Sequence, residues 1–504
     1  MKQALNPYLP LYEYVPDGEP RVFGGRIYIY GSHDEAGGKT YCPGDYVTWS
    51  AALNDLGNWR FEGVSYTATQ DPDNTARQKM LYAPDVVRGV DGRYYLYYCL
   101  SFLPEIGVAV SDTPAGPFAF YGKVRYPAGM NGGAVLHEYL PFDPGVLVDE
   151  DGKVYLYYGF SPAEKFALPD HNTLQQMGMP EEEIATLMLL SQMETSPGSM
   201  VVELEPDMLT LKGSPIMCVP GGKIAQGSSF EGHAFFEASS IRKVNGRYYF
   251  IYSSQLSHEL CYAVSDRPAE GFVYGGTIIS NGDIGYHGNT VPVALTGNNH
   301  GSLMEINGAW YVFYHRQTHA TEFSRQGCAE KIELMPDGSI PQVEITSCGL
   351  NGGPLQASGC YPAVIACYLT CCENREKVIA GAPRNPQLPY IYEEHCGASE
   401  LDHIQYIANI TDGVSFGFKY FGFEGAAQVS VVLRGHAQGV LRVSVDDPHS
   451  VPVGEISVKV EGDLWIERSA ARAEIGGIHA LFFTYTGAGE LQVKEISFKT
   501  GDNE

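Results

Sequence analysis

Three carboxylates stand at matching places in this chain. Asp17 lies in "EYVPDGEPRVFGGRIYIYGSHD", Asp143 in "FDPGVLVDEDGKVYLYYGF" and Glu237 in "FEASSIRKVNGRYYFIYSS". Each precedes the glycine of a tight turn, by seven residues to Gly24, nine to Gly152 and nine to Gly246. Two further ionisable residues keep the same register: Asp85 is seven before Gly92, and His300 is eight before Gly308. A single Asp ahead of a strand is usually a cap or turn residue, and a contact between repeated units remains open for Asp85. Five such residues in register point instead to one shared site. Paired carboxyls can divide a proton transfer: one protonates a leaving oxygen while the other activates water, and a third acid nearby raises the pKa of the proton donor. Glycoside hydrolysis asks for this pair, and acids held far enough apart to admit a water, about 6.5–9.5 Å, give inversion.

These residues need a scaffold that brings distant segments to one place, and the chain contains a repeat that does so. The copies at 17–32, 84–101, 143–160, 237–254 and 300–316 each read as an apolar strand, a Gly-containing turn and a second, Tyr-rich strand. Asp-Gly and Asn-Gly supply the positive φ that short hairpins require. A weaker second hairpin follows, as in "IGVAVSDTPAGPFAFYGKV" and "LCYAVSDRPAEGFVYGGTI". Four strands per unit and five units predict a five-bladed β-propeller. The segment 168–193 departs from this pattern; its helical periodicity puts Ile184, Leu187 and Met188 on one face of an insertion in blade three. After about residue 350 the text changes to a connector (351–385), then to short alternating strands over 386–504 that predict a jelly-roll-like β-sandwich. The expected class is all-β, a propeller over 1–350 followed by the sandwich.

Composition narrows the partners. With 33 basic and 59 acidic residues the formal charge is −26. That field repels phosphate backbones and anionic membranes, so neither nucleic acid nor membrane is an expected partner. "MKQALNPYLPLYEY" lacks the apolar run of an export signal, and the eleven cysteines are scattered; both lead to the expectation of a cytoplasmic protein with reduced thiols. No H-E-x-x-H or phosphate-loop pattern is present, and the G-x-S-x-G spacing of GVSFG at 413–417 falls among the alternating strands of the C-terminal region, not at a strand-to-helix elbow.

The landmarks together resemble family 43 glycoside hydrolases, five-bladed propellers acting on arabinosyl and xylosyl linkages. The resemblance rests on Asn6-Pro7, Asp17 through Gly24 to Tyr28, "YAPDVV" with Asp85, "FDPGVLVDEDGKVYLYYG" with Asp143, Glu237 ahead of "NGRYY", and "NNHGS" with His300. It covers residues 6 to about 345 and implies Asp17 as general base, Asp143 as modulator of the acid, and Glu237 as general acid. It further implies a metal ion or water at the propeller centre, so that His300 would hold a single calcium-like ion, and it places Arg325 near the substrate. No organic cofactor is expected. The first site reads "DGEP", so Glu19 competes with Asp17; the ungapped spacing to Tyr28 favours Asp17 and leaves Glu19 as a turn or supporting residue. Glu231 breaks the register that Glu237 keeps. His33 after the first inner strand and Phe142 beside Asp143 are further candidates for the sugar pocket, with Asp85. The region 390–500 resembles family 6 carbohydrate-binding modules, with Trp465 as an aromatic candidate for sugar contact and a structural role, packed against the propeller, as the equal alternative.

The expected function is therefore an inverting exo-glycosidase releasing arabinofuranosyl or xylosyl units from plant-derived oligosaccharides. A glycosidase for another furanosyl sugar is one alternative. A sugar-binding protein without turnover is another, although such a binder has no need for the complete trio. The oligomeric state is left open.

Overall fold

The computed structural model describes residues 2–101, 103–162, 170–176, 181, 184, 188, 195–371, 385–396, 403–471 and 473–500. Five antiparallel sheets follow one another along the first two thirds of the chain. Blade one is β1 (Glu19–Phe23), β2 (Arg26–Tyr30), β3 (Tyr46–Ala52) and β4 (Asp55–Tyr66). Blade two is β5 (Leu81–Arg88), β6 (Tyr94–Leu100), β7 (Ile106–Ser111) and β8 (Ala119–Lys123). Blade three is β9 (Gly145–Val148), β10 (Val154–Tyr158), β11 (Gly198–Leu204) and β12 (Ile216–Pro220), with the short helix α1 (His171–Gln176) between β10 and β11. Blade four is β13 (Phe235–Val244), β14 (Arg247–Ser254), β15 (Glu259–Ser265) and β16 (Val273–Ser280), and blade five is β17 (Leu303–Ile306), β18 (Ala309–Gln317) and β19 (Arg325–Ile332). The hairpin glycines Gly24, Gly92, Gly152, Gly246 and Gly308 all have φ between 57° and 88°, so the turn chemistry read from the sequence sets each first hairpin. Of the expected helical face in the insertion, Ile184 is fully buried, Met188 is partly buried, and Leu187 lies outside the described residues.

The abundance of tyrosine has a structural use. Strands such as β6 (YYLYYCL) are buried on both faces between neighbouring blades, and a buried phenol must find a hydrogen-bond partner. Tyr30 donates to the carbonyl of Pro114 (2.6 Å), Tyr97 to Met208 (2.7 Å), Tyr157 to Pro268 (2.5 Å) and Tyr249 to Gly338 (2.8 Å). Each bond runs from one blade to the next. Ring closure uses a different device. Blade five has three strands among the described residues, and the N-terminal segment lies along β19, with Tyr8 N–H donating to Gly327 (3.2 Å) and Asn6 N–H to Ser347 (3.1 Å). The buried Asn6 amide donates to Ala329 O, Thr346 O and Glu330 Oε1, and its own oxygen accepts from Ala329 N–H.

The C-terminal unit is also all-β: β20 (Leu355–Gln356), β21 (Gly359–Pro362), β22 (Tyr368–Thr370), β23 (Tyr390–His395), β24 (His403–Ile410), β25 (Ser415–Val445), β26 (Gly454–Ser469) and β27 (Ala473–Thr500). β25 uses both edges of β27, pairing 415–426 against 474–484 and 427–445 against 481–500, which folds the sheet over one apolar core that includes Phe416, Phe418, Phe421, Phe483 and Ile496. The expected connector over 351–385 is corrected in part. β20, β21 and β22 pair with β25 and β27, because their apolar side chains Leu355, Tyr361 and Leu369 join that core; 372–384 lie outside the described residues. The unit docks on the propeller through Lys419, whose ammonium reaches Asp283 and Glu344 at 2.9 Å each, and through backbone bonds from Leu369 to Val293 and from His319 to Ile391.

Candidate active site

The inner strands stand side by side around the ring: β1 beside β5, β5 beside β9, β9 beside β13 and β17 beside β1. The circle is completed by Ser240 Oγ meeting Ser302 Oγ at 2.7 Å, from β13 to just ahead of β17. Asp17 and Asp143 occupy equivalent places, each two residues before its inner strand. Both have left-handed backbone, with φ 57° and 46°, a conformation that Asp tolerates better than most residues. Glu237 sits at a bulge in β13 and is followed by Ala238 at φ 68°. Departures from regular backbone at three adjoining places aim these side chains out of the ladders, as functional sites often do.

Asp17 is buried. Its Oδ1 accepts from Arg325 Nη1 at 3.0 Å and lies 3.2 Å from His315 Nδ1. Burial alone would raise its pKa, but the Arg325 guanidinium and then His315 outweigh burial and hold the carboxyl well below the usual range. Glu237 is half-buried, and among the described residues its carboxyl makes no hydrogen bond. Burial first, and then the negative charge of Asp17, push it up to about 8. Asp143 Oδ2 accepts the backbone N–H of Ala238 at 3.0 Å, which fixes it beside Glu237; burial, Glu237 and Asp17 together raise its pKa well above the ordinary value. The close approach of β9 to β13 depends on Gly145, where a Cβ would lie 2.4 Å from Ser239 O. One carboxyl is thus kept ionised and one kept protonated around neutrality, side by side with a third that holds the second in place.

Arg325 is corrected from substrate contact to positioning residue. It is 2% exposed, its Nε and Nη2 grip Asp34 at 2.8 and 3.0 Å, and Nη1 holds Asp17. Exchange to Lys keeps the charge but loses the two-pronged grip. We expect Arg325→Lys to raise the acid limb of the kcat profile by on the order of one pH unit, with KM little changed; an unmoved limb in a stopped assay across pH would remove Arg325 from this role.

Asp85 is likewise corrected. It is fully buried, it takes Arg21 on both oxygens (2.7 and 2.6 Å), and it accepts the Val146 N–H at 2.8 Å, so nothing is left for a sugar. Equal counting from the turn glycine misplaced it, because Gly92 comes four residues after the last paired residue Arg88 whereas Gly24 directly follows Phe23, so Asp85 pairs with Tyr97 inside its ladder while Asp17 lies beyond the end of its own. Glu19 is not a turn residue: it opens β1, is 1% exposed, and pairs with Arg242 at 2.7 Å. Arg242 also donates to Leu303 O and Pro20 O, and Arg21 to Val146 O. These two arginines and two acids fill the channel and tie all five inner strands together.

His300 is buried with Nδ1 3.6 Å from Asp143 Oδ2. Burial drives its pKa down to about 4, so the ring is neutral and in the form that binds metals. It offers one ring nitrogen. The described groups of three metal-ligating side chains lie elsewhere, at His233, Glu259 and Cys261 and at Glu393, His395 and His403. The centre therefore fits a calcium-like ion only as a single His ligand with water completing the shell, not as the oxygen cage of a dedicated calcium site.

Phe142 belongs to a half-buried aromatic row. Tyr82 meets Phe142 at 5.9 Å, Phe142 meets Phe160 at 5.2 Å, and Phe160 meets Phe236 at 5.2 Å. The row runs past Asp143 to the residue before Glu237. Across the site the Tyr41 ring covers the Arg325 guanidinium at 4.8 Å and meets Phe323 edge to face at 4.7 Å. Such rims suit the apolar faces of sugar rings. His33 packs under Gly44, with Nδ1 3.0 Å from Asp45 O, and supports the loop behind Asp34. In the C-terminal unit, Trp465 is covered by Arg434 at 4.5 Å and Lys494 at 5.1 Å, so its ring is not an open platform.

The model of glycosyl hydrolases family 43 matches residues 15–340, the whole propeller and every residue of this site. The chain belongs to that family. A xylosidase/arabinosidase of Thermoclostridium stercorarium is 46% identical over 503 residues, 99% of both chains. Among solved structures, a family 43 β-xylosidase/α-arabinofuranosidase from a compost microbial metagenome, in complex with xylotriose and in calcium-free form, is 26% identical with a TM-score of 0.50, covering 68% of this chain and 98% of its own. A family 43 enzyme of Xanthomonas citri complexed with xylotriose is 25% identical with a TM-score of 0.51, covering 70% and 96%. Family membership makes the chain a glycoside hydrolase.

Proposed function

We propose that this family 43 member is an exo-acting, inverting glycosidase that releases arabinofuranosyl or xylosyl units from short plant-derived oligosaccharides, with Asp17 as base, Glu237 as acid and Asp143 as the group that, through the Ala238 N–H, holds Glu237 in place. The observation that carries the reading is the opposite displacement of two carboxyls in one site, Asp17 downward and Glu237 up to about 8. Glu237, protonated at neutrality, donates to the glycosidic oxygen as the bond to the anomeric carbon breaks. Asp17, ionised and fixed by Arg325 and His315, takes a proton from the water attacking the opposite face. The aromatic row at Phe142 and Phe160 holds the sugar during this exchange. A calcium-like ion at the centre would be held by His300 and would supply positive charge beneath the carboxylates. The names of the relatives support the pentosyl substrate class. The buried free thiols of Cys42, Cys99, Cys218, Cys261, Cys328, Cys348 and Cys367 support a reducing, cytoplasmic setting in which imported oligosaccharides are the substrate.

Proton NMR of early turnover of nitrophenyl α-L-arabinofuranoside and β-D-xyloside tests the reading. The first sugar released from at least one of them should carry the anomeric configuration opposite to that of the substrate. Release with retention would overturn the water-activating role of Asp17, and saturable sugar binding without turnover of either substrate would favour a silent binder.

A further inference from the structure

A second cluster of chemically competent side chains lies away from the carboxylate pocket, on the first hairpin of the C-terminal unit. Glu393 and His395 are two residues apart on β23, so their side chains share one face. His403 opens β24 directly opposite His395 in the ladder. The ligand atoms of all three lie within 4.8 Å of one another, and the two imidazole rings are 4.2 Å apart.

The details match what a metal ligand set needs. Glu393 Oε2 is already occupied, accepting from Tyr14 OH at 3.1 Å and Gln405 Nε2 at 2.6 Å. Its Oε1 faces His403 Nδ1 at 3.0 Å. That Nδ1 is nonetheless a buried nitrogen with no hydrogen-bond partner among the described residues, since the pair lacks the alignment of a hydrogen bond. A buried ring nitrogen without a partner costs stability. One cation between them would satisfy both atoms. Metal–ligand bonds of about 2.0–2.2 Å place tetrahedral ligand atoms roughly 3.3 Å apart, close to the separation already present. His395 is exposed and its ring can turn to provide a third bond, leaving water for the fourth. The hydrogen bonds to Oε2 are the supporting contacts that orient a ligating carboxylate.

We propose that Glu393, His395 and His403 form a binding site for a borderline divalent cation of the zinc class, distinct from the channel centre at His300. Two imidazoles and one carboxylate select such an ion over calcium or magnesium, which take oxygen ligands. The ion would staple the β23–β24 hairpin and, through Glu393 and Tyr14, brace the N-terminal segment: the Tyr14 carbonyl accepts the N–H of Asp34, the residue that holds Arg325.

The test uses untagged full-length protein, stripped with a chelator, dialysed and titrated with zinc chloride by calorimetry. A parallel titration with cobalt(II) chloride is read by visible absorption. Saturable binding of one equivalent per chain, four-coordinate cobalt bands and a zinc-dependent rise in Tm are expected. His395→Ala removes an exposed ligand and should leave the metal-free Tm unchanged while weakening zinc binding at least tenfold; Glu393→Gln keeps the Tyr14 contact and should do the same. Absence of saturable binding would overturn the site. So would equal affinity in both variants, which would place the ion elsewhere, for instance at His233, Glu259 and Cys261 of blade four.

Discussion

Replacing Glu237 by Gln should lower kcat on an unactivated pentosyl oligosaccharide by about a thousandfold, within the usual span for loss of a general acid. The same variant should lose only about tenfold or less on a dinitrophenyl pentoside, whose leaving group departs without a proton. The contrast follows from the geometry: the Glu237 carboxyl makes no hydrogen bond to the described residues, so its substitution should leave the surrounding bonds intact. The pH profile provides a second reading. Burial and the Asp17 charge raise Glu237 to about 8, so the active, protonated form is present below that pH and is lost as pH rises through it. The wild-type rate should therefore fall above about pH 8, and the limb should vanish in the Gln variant, which has no proton to lose. Equal losses on both substrates, or a surviving limb, would move the acid to another residue.

Asp17→Asn should behave differently in both respects. Its loss of kcat, again on the order of a thousandfold or more, should be the same for activated and unactivated substrates, because water activation does not depend on the leaving group. Any residual activity should show its alkaline limb at lower pH than wild type. Removing the Asp17 charge takes away an influence that raises Glu237, and Arg325, which lowers it, remains. The fold should survive, since Arg325 keeps both bonds to Asp34. Rescue of the Asn variant by a better leaving group would contradict the assignment of Asp17 as base.

How much of this was legible in the sequence depended on which residues the repeat exposes. Asp17, Asp143 and Glu237 could be found because each stands at the mouth of a repeated strand and the hairpin glycines supply a ruler. The ruler counts residues, not height in the channel, and the longer turn between Arg88 and Tyr94 put Asp85 inside its ladder, too deep for the site. Asp34 and His315 stand outside that register. Asp34 follows a strand and His315 sits within one, and their value comes from contacts across some 290 residues of chain or more, Asp34 with Arg325 and His315 with Asp17. Phe160 and Phe236 were hidden in another way: an aromatic at a strand end looks the same whether it packs or borders a cleft. The only available signal was their adjacency to the turns that carry Asp143 and Glu237. In the C-terminal half, glycines and prolines made 351–385 read as a connector, although Leu355, Tyr361 and Leu369 already carried the apolar spacing of short strands.

The forward-pointing tyrosines give the ring a polarity. Each of four blade junctions is sealed by a phenol reaching onward, and the last junction is sealed by Asn6, eleven residues before Asp17. The segment that latches the circle is thus the segment that delivers the base. A molecule whose latch has slipped cannot hold Asp17 against Arg325 and His315, so it should be inert before it is unfolded. Hydrolytic rate then reports on the integrity of the seam, and loss of turnover on heating should run ahead of the loss of sheet signal.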